Sequence, residues 1–536
     1  MKRNLTVLLL LVVAIASAFC GGSNESSSTA TETKTVNVEN QDMNVEGVEG
    51  ISETATLRVA VDGEPDSLFA AFQQNKVDNR VNSSMFNYLV EWDDVNKVSK
   101  PSIATSWEWI DSTHIRFTIR DDVYFTNGEK LVADDVAKSL AYSCLYHGNY
   151  TGMMDPDNFV VEDDTHVIIS LSRTYGNFVE ILGCDYYTIF DWSAFEADGC
   201  DTSKWMRDPI GSGPYKLVEW ITGDHITLER NENYWDKENM PYFKYITYYF
   251  ISDQAARASA LLAGSVDVAY NVGVSQVEQL KAAGLTVNPY NQNVTQPLQF
   301  NMVKCPALAD INVRKAIFYA IDKSSLAYAY HQGYGLDNKS SITGPNSAYY
   351  YECENFSQDL DVAKAAMAEA KATNGWTDAD LTFTMYAVAG SDTSQQELLQ
   401  YYLSLVGITL KIEKCDVSVM LFDHLFVGDT SIVIGENDTW DITRMLNQFD
   451  NRISTSFNAY HGEDEDELHA LIDEAWAADD EHRYDAYAKV QQWLADRYAT
   501  TALDNCLFVD AWSSKITGMK YDSHCWPNVW DMTAVK

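Results

Sequence analysis

PSIATSWEWIDSTHIRFTIRDDVYFTNGEKLVADDVAKSL, residues 101–140, is the stretch whose pattern decides the fold. It opens on a strand, Ala104-Thr105-Ser106-Trp107-Glu108, and reaches Asp111-Ser112-Thr113, a polar triplet suited to a turn. His114 to Arg120 then alternates polar and apolar residues, as a half-buried strand does. Val123 and Phe125 keep the alternation, and Asn127-Gly128 supplies a tight hairpin turn. Ala133-Asp134-Asp135-Val136 opens a helix, whose positive N-terminal end favours the two acids. The order is strand, turn, strand, turn, helix.

This run closely resembles the signature of the family 5 extracellular solute-binding proteins, the peptide- and nickel-type receptors of bacterial ABC importers. The matching positions are Ala104, Ser106, Trp107, Glu108, Phe117, Ile119, Arg120, Val123, Phe125, Asn127, Gly128, Ala133, Asp135, Val136 and Ser139. So many fixed spacings make a specific match, where a lone Asn-Gly hairpin would not. The resemblance implies an α/β, two-lobed periplasmic-binding-protein-like fold (type II, cluster C) with an extra small subdomain in the first lobe. It also implies closure by a hinge across two connecting strands near 296 and 507.

Upstream, Thr56 to Val61 reads as a strand, and Asp62-Gly63-Glu64-Pro65 makes the turn that in the family lies at the mouth of the cleft. Asn82 to Val90 reads as a helix leading into Glu91-Trp92. Downstream, Ile210-Gly211-Ser212-Gly213-Pro214-Tyr215 resembles the family's return to the first lobe, its glycines permitting a backbone turn. Asp253 to Ala263 is helical, and Val266-Asp267-Val268-Ala269 is a strand. Leu298-Gln299-Phe300-Asn301 and the helix capped by Asp310 resemble the start of the second lobe. Helices are expected at 359–373 and 394–406, strands at 408–412 and 431–434, and two acidic amphipathic helices in 463–498, their charges read as a solvated face. The strand Leu507-Phe508-Val509 should cross back to lobe one. The expected division is 1–20 signal peptide, 21–53 disordered tether, 54–92 and 205–296 lobe I, 93–204 its accessory subdomain, 297–506 lobe II, and 507–536 the return to lobe I.

The chain has 536 residues, enough for more than one core. Its 38 basic and 78 acidic residues leave a net charge of -40, so nucleic acid is excluded as a partner by repulsion from its phosphates. Lys2-Arg3, an apolar run from Leu5 to Ile15 and Ala16-Ser17-Ala18-Phe19-Cys20 form a secretory signal too short to span a bilayer. Two processing routes compete: cleavage after Ala18, or lipidation of Cys20 ahead of Gly21-Gly22 and a Ser/Thr-rich tether. The second is favoured, although Ser17 and Phe19 depart from the usual lipobox. Export permits disulfides, with Cys184–Cys200 and Cys506–Cys525 close enough in sequence to pair, while buried free thiols are an equal alternative.

No Gly-x-Ser-x-Gly, His-Glu-x-x-His or P-loop pattern occurs, and the ten histidines are scattered, so catalysis finds no support and no cofactor or metal site is expected. Binding is the better reading. A peptide held between lobes needs an anion for its α-amine, main-chain partners and aromatic walls. Resemblance to peptide-binding members points to Glu64 in the cleft-mouth turn, Tyr270 and Asn271 after the Val268-Ala269 strand, and Tyr290 in the crossover. In the second lobe it points to Asp438 in the position of the amine-pairing aspartate, with Trp440 and His424 nearby. The family's Trp and Tyr around that aspartate are missing, and an ungapped reading puts Asp423, His424 and Ile432 where basic residues commonly meet a peptide's carboxylate. The resemblance therefore implies a monomeric, extracytoplasmic, lipid-anchored receptor that hands an oligopeptide or peptide-like solute to an ABC permease and its ATPase subunits. An oligosaccharide or metal complex stays open as ligand, and an extracellular hydrolase or signalling module stays open as the function.

Overall fold

A computed structural model describes residues 51–535 apart from 73–75, 94–97, 147–152, 184–186, 332–333, 335–337, 354–356, 390–392, 417–418, 426, 436, 439–441, 453–458, 463 and 522–526. Cys20, residues 21–50 of the tether and Trp440 lie outside the described residues, as do Cys184 and Cys525 of the two proposed disulfides, while Ser52 and Glu53, expected in the tether, are held to lobe I by Arg230. Cys200 carries an exposed free thiol.

The β-branched strand Thr56–Val61 is central to lobe I. It runs parallel to Tyr245–Phe250 on one side and to Val268–Ala269 on the other. The hairpin Tyr215–Ile221/His225–Arg230 extends the sheet antiparallel. The same sheet continues past Val268–Ala269 to Thr501–Trp512, then Thr286–Phe300, then Ile432–Ile434. The two long antiparallel strands therefore belong to both lobes. Their register runs from Thr286 opposite Trp512 to Leu298 opposite Thr501, interrupted between Asn291 and Thr295 and again between Gln296 and Pro297. Such bulges break the ladder and raise the local twist, so the strands bend between lobes.

Among the described residues, the three largest hydrophobic cores lie along this frame. Leu57, Val59, Tyr215, Ile246 and Tyr248 pack with Ile516, Val529 and Met532 from the C-terminal segment. Leu298, Phe300, Val313, Ile317, Phe383, Leu468 and Trp493 form the core of lobe II. Ile115, Phe117, Val123, Phe125, Val136 and Val167 form a third, under the sheet Ala104–Trp109/His114–Ile119/His166–Ser170/Val160–Asp163. This last is the small subdomain that the stretch 101–140 encodes. Its helix Ala133–Tyr146 uses its two first-turn acids differently. Asp134 pairs with Lys138 one turn on, at 2.9 Å. Asp135 turns inward and accepts from the amides of Val132 at 3.0 Å and Trp192 at 3.2 Å, and burial pushes its carboxyl up to about 6.

Two expectations need correction. The helix read at Asn82–Val90 ends where it should begin: the helix is Lys76–Asn82, and Asn87–Tyr88 and Val90–Asp93 are strands. The polar Asp78, Asn79 and Arg80 are buried against lobe I, so an apolar period could not reveal this helix. Gly211 and Gly213 do not supply a left-handed turn, since neither has a positive φ. They let the chain lie against Met85-Phe86; a Cβ on Gly213 would stand 2.4 Å from the Met85 carbonyl carbon.

Candidate functional site

Lobe I presents the carboxyl ends of its parallel strands at one edge of the sheet, the place where open α/β sheets gather their ligands. Asp62 follows Thr56–Val61, and Tyr270-Asn271 follow Val268–Ala269. Arg257, on the helix Gln254–Leu262, binds these ends together. Its guanidinium donates to the carbonyls of Ile251, Ser252, Tyr270 and Asn271 at 2.6, 3.0, 2.8 and 2.6 Å. Asn271 is held at φ 49, a left-handed conformation that asparagine tolerates better than most residues.

Around Asn271 stands a buried polar network. Its amide donates to Asp510 Oδ1 at 2.8 Å and its side chain to Asp62 Oδ2 at 3.3 Å. Arg80, fully buried, pairs with Asp62 and lies 5.1 Å from the Tyr270 ring centroid. Tyr521 donates to Asp510 Oδ2 at 3.3 Å and receives from Asn288 at 2.9 Å. Tyr290 packs against Tyr521, centroids 4.4 Å apart; its hydroxyl is buried while the ring stays partly exposed. Burial raises the Asp62 carboxyl, but the cations Arg80 and Arg257 outweigh it and hold the group below the usual carboxylate range. Asp510 is the opposite case: burial exceeds the pull of Arg80 and pushes it up to about 6. Burial also raises the Tyr270 and Tyr290 hydroxyls well above the phenol range, so both stay neutral.

The structure thus brings Tyr270, Asn271 and Tyr290 together around Asp510. Tyr270 is wholly buried, with its hydroxyl on the Pro527 carbonyl at 3.3 Å, whereas the Tyr290 ring is partly open. Glu64 is engaged elsewhere: its oxygens accept from Trp220 Nε1 at 2.7 Å and the Gly223 amide at 2.8 Å. Asp438 comes to the crossover through its backbone. Ile432–Ile434 runs antiparallel to Thr286–Phe300, and Asn437 and Asp438 then pair with Thr295 and Val294, beside the first bulge. His424 belongs to a separate group in lobe II. Its ring stacks on Tyr386 at 3.7 Å, and Nδ1 lies 3.2 Å from Asp429, which also pairs with Lys304.

Asp62, Arg80, Asp510 and Tyr521 were missed in the sequence. Asp510 had a legible signal: it interrupts Leu507-Phe508-Val509 and Ala511-Trp512, and a carboxylate inside an apolar strand requires partners. Arg80 had none, because its partner Asp62 lies across the masking noise of many other acids. Among the described residues no group of acids, cysteines and histidines has metal-site spacing.

The family model for bacterial extracellular solute-binding proteins, family 5 Middle, matches residues 99–452. The chain is 27% identical to heme-binding protein A of Haemophilus influenzae, over 56% of this chain and 58% of that protein. It is 28% identical to the nickel-binding periplasmic protein of Escherichia coli, over 63% of each. These alignments span less than two thirds of either relative. The solved structure of the oligopeptide-binding protein AppA from Bacillus subtilis, in complex with a nonapeptide, superposes with a TM-score of 0.74 at 22% identity, covering 91% of this chain and all of that one. With the family model spanning the accessory subdomain, the crossover and much of lobe II, the chain belongs to the bacterial extracellular solute-binding proteins, family 5.

Proposed function

We propose that this chain is the substrate-binding receptor of an ABC importer, that it captures an oligopeptide or peptide-like solute between its lobes, and that it delivers the solute to the permease and its ATPase subunits. The observation carrying this reading is the shared sheet: two bulged strands join lobes with independent cores, and the buried polar network of lobe I lies against that crossing. A bend there moves the lobes as bodies and opens or closes the space between them. Lobe I is taken as 54–92, 205–296 and 507–536 with 93–204 as accessory subdomain, and lobe II as 297–506. Cys20 is taken as the lipid anchor on the outer face of the membrane, with Glu64, Tyr270, Asn271, Tyr290, His424, Asp438 and Trp440 contributing to the ligand site.

In this reading a peptide α-amine takes Asp438 as its partner and the partly exposed Tyr290 ring as a wall. Relatives named for heme, nickel and oligopeptides share the fold, so the fold does not choose among ligands. Native mass spectrometry of the purified protein, followed by denaturation and identification of whatever is released, tests the choice. Peptides of mixed sequence and narrow length support the proposal, and Asp438→Ala should then weaken their binding by about tenfold or more, the worth of a charged hydrogen bond. A single sugar or metal chelate removes the peptide and leaves the receptor. A solute returned chemically altered removes the receptor in favour of an enzyme.

A further inference from the structure

The lobes also meet away from the crossover strands, at Tyr334 on Glu278 (2.9 Å) and more extensively at a strip of the accessory subdomain. The strip 173–180 leaves the accessory core, anchored there by the buried Tyr175 and Phe178, and meets lobe II residues that no sequence motif singles out. The Gly176 amide donates to the Trp476 carbonyl at 3.0 Å, and the Gly176 carbonyl accepts from the Arg483 guanidinium. Arg483, 7% exposed, also pairs with Glu180, whose other oxygen accepts from the Tyr349 hydroxyl at 2.8 Å. Thr443 donates to Asn177 Oδ1 at 2.9 Å, and the Arg173 guanidinium lies 3.7 Å from the Trp476 ring centroid. Trp476 and Tyr349 are in the core of lobe II, and that core shares no member with the accessory core.

This contact is made of directional polar groups, one stacked cation and one aromatic pair, Tyr175–Trp476 with centroids 6.4 Å apart, rather than of one shared apolar core. An interface of that composition can part and rewet without exposing a core, as movable interdomain contacts do. It also has no slack at one point: a Cβ on Gly176 would stand 2.1 Å from the Ala478 carbonyl oxygen. Gly176 does not have a positive φ, so within its own lobe an alanine is conformationally ordinary. The glycine is required only when the lobes are together.

We propose that the strip 173–180 is a latch: seated on Arg483, Trp476, Thr443 and Tyr349, it holds the closed arrangement of the lobes through protein contacts separate from the crossover, and Gly176 permits the fit. The latch sets the population of the closed form before any solute contributes, and solute affinity scales with that population. The proposal rests on lobe closure and is independent of which solute is bound.

Gly176→Ala tests it in the full mature protein. The expected result is an unchanged melting transition, a larger radius of gyration by small-angle X-ray scattering, and protection of the Gly176 amide against hydrogen exchange reduced about tenfold or more. Whatever solute the wild type binds should bind the variant about tenfold or more weakly. Unchanged scattering together with unchanged exchange overturns the latch. Should the alanine variant misfold, Glu180→Gln removes the carboxylate that crosses to Arg483 from the strip, leaving Asp480 of its own lobe in place, and keeps an oxygen for Tyr349; the same shifts, smaller, support the latch, and their absence overturns it. The scattering and exchange readouts need no solute, so a protein that binds none would sink the receptor reading and leave the latch to stand or fall on its own.

Discussion

At the residue scale the decisive groups are the buried charges around Asn271. Asp510 is raised from 3.8 to about 6 in the folded chain, so the native state holds its proton more tightly than the unfolded state does. Its contribution is then full below pH 3.8 and is lost as pH rises through about 6. A shift of two units corresponds to about 3 kcal/mol. In Asp510→Asn that loss is absent, so urea titrations at pH 4, 5, 6 and 7 should show the variant gaining on the wild type by about 3 kcal/mol across the series. A constant difference would mean that Asp510 titrates as an ordinary acid. Arg80 is the matching cation. Arg80→Met breaks the ion pair with Asp62 and removes the cation that pulls on Asp510, leaving Arg257 alone beside them, and a loss of about 3–5 kcal/mol is expected on breaking such a buried pair. A melting temperature within a degree or two of wild type would contradict that. Glu64, proposed above as a ligand group, is also bound to Trp220 and Gly223, which are far along the chain and belong to the lobe I hairpin. Substituting it should disturb that hairpin's anchoring.

Elements form where local pattern and tertiary demand agree. Helix Ile311–Ala320 starts at Asp310, whose side chain accepts from the Asn312 amide at 2.9 Å, and it buries Val313, Ala316, Ile317 and Ala320 as their spacing requires. Helix Leu360–Asn374 ends at Gly375 with φ 69, a left-handed stop that glycine adopts without cost to a Cβ. The segment 82–90 failed because its helix lies just before it and is rich in buried polar residues, paid for by partners distant in sequence. The Gly211–Gly213 segment was found by its letters but for the wrong reason. Close approach to Met85-Phe86 predicts that Gly213→Ala costs about 1–3 kcal/mol, since backbone atoms cannot step aside. Thermal or denaturant unfolding measures this, and a neutral alanine would show that the strand 215–221 can shift. Likewise the acids of Glu465–Ala477 and Arg483–Asp496 largely face water, as their pattern implies, while Arg483 at the start of the second helix points into the lobe contact.

For the whole molecule, the excess of acids, 78 against 38 basic residues, opposes compaction through self-repulsion. Salt screens that repulsion, with a Debye length falling to about 3 Å at 1 M. The melting temperature should therefore rise by a few degrees between low salt and 0.5 M NaCl, measured by scanning calorimetry; a fall would show that surface ion pairs such as Arg116–Glu162 and Arg452–Asp473 dominate instead. The sheet that runs through both lobes makes them one folding frame with two breaks in register, at Asn291–Thr295 and Gln296–Pro297, and these are where the proposed closure bends it.

By itself the sequence determined the periodicities, turns and caps, because those are local patterns that short stretches carry, while the two-lobed α/β class is what the resemblance of residues 101–140 to the family signature implies. Only the tertiary structure decided which charges meet. Asp62, Arg80, Asn271 and Asp510 come from four separated segments, and Gly176 faces Ala478 across some three hundred residues of chain. Among 78 acids no pairing is marked in advance, and burial, which turns a carboxylate from solvated decoration into a group that must have a partner, is a property of the packed molecule alone.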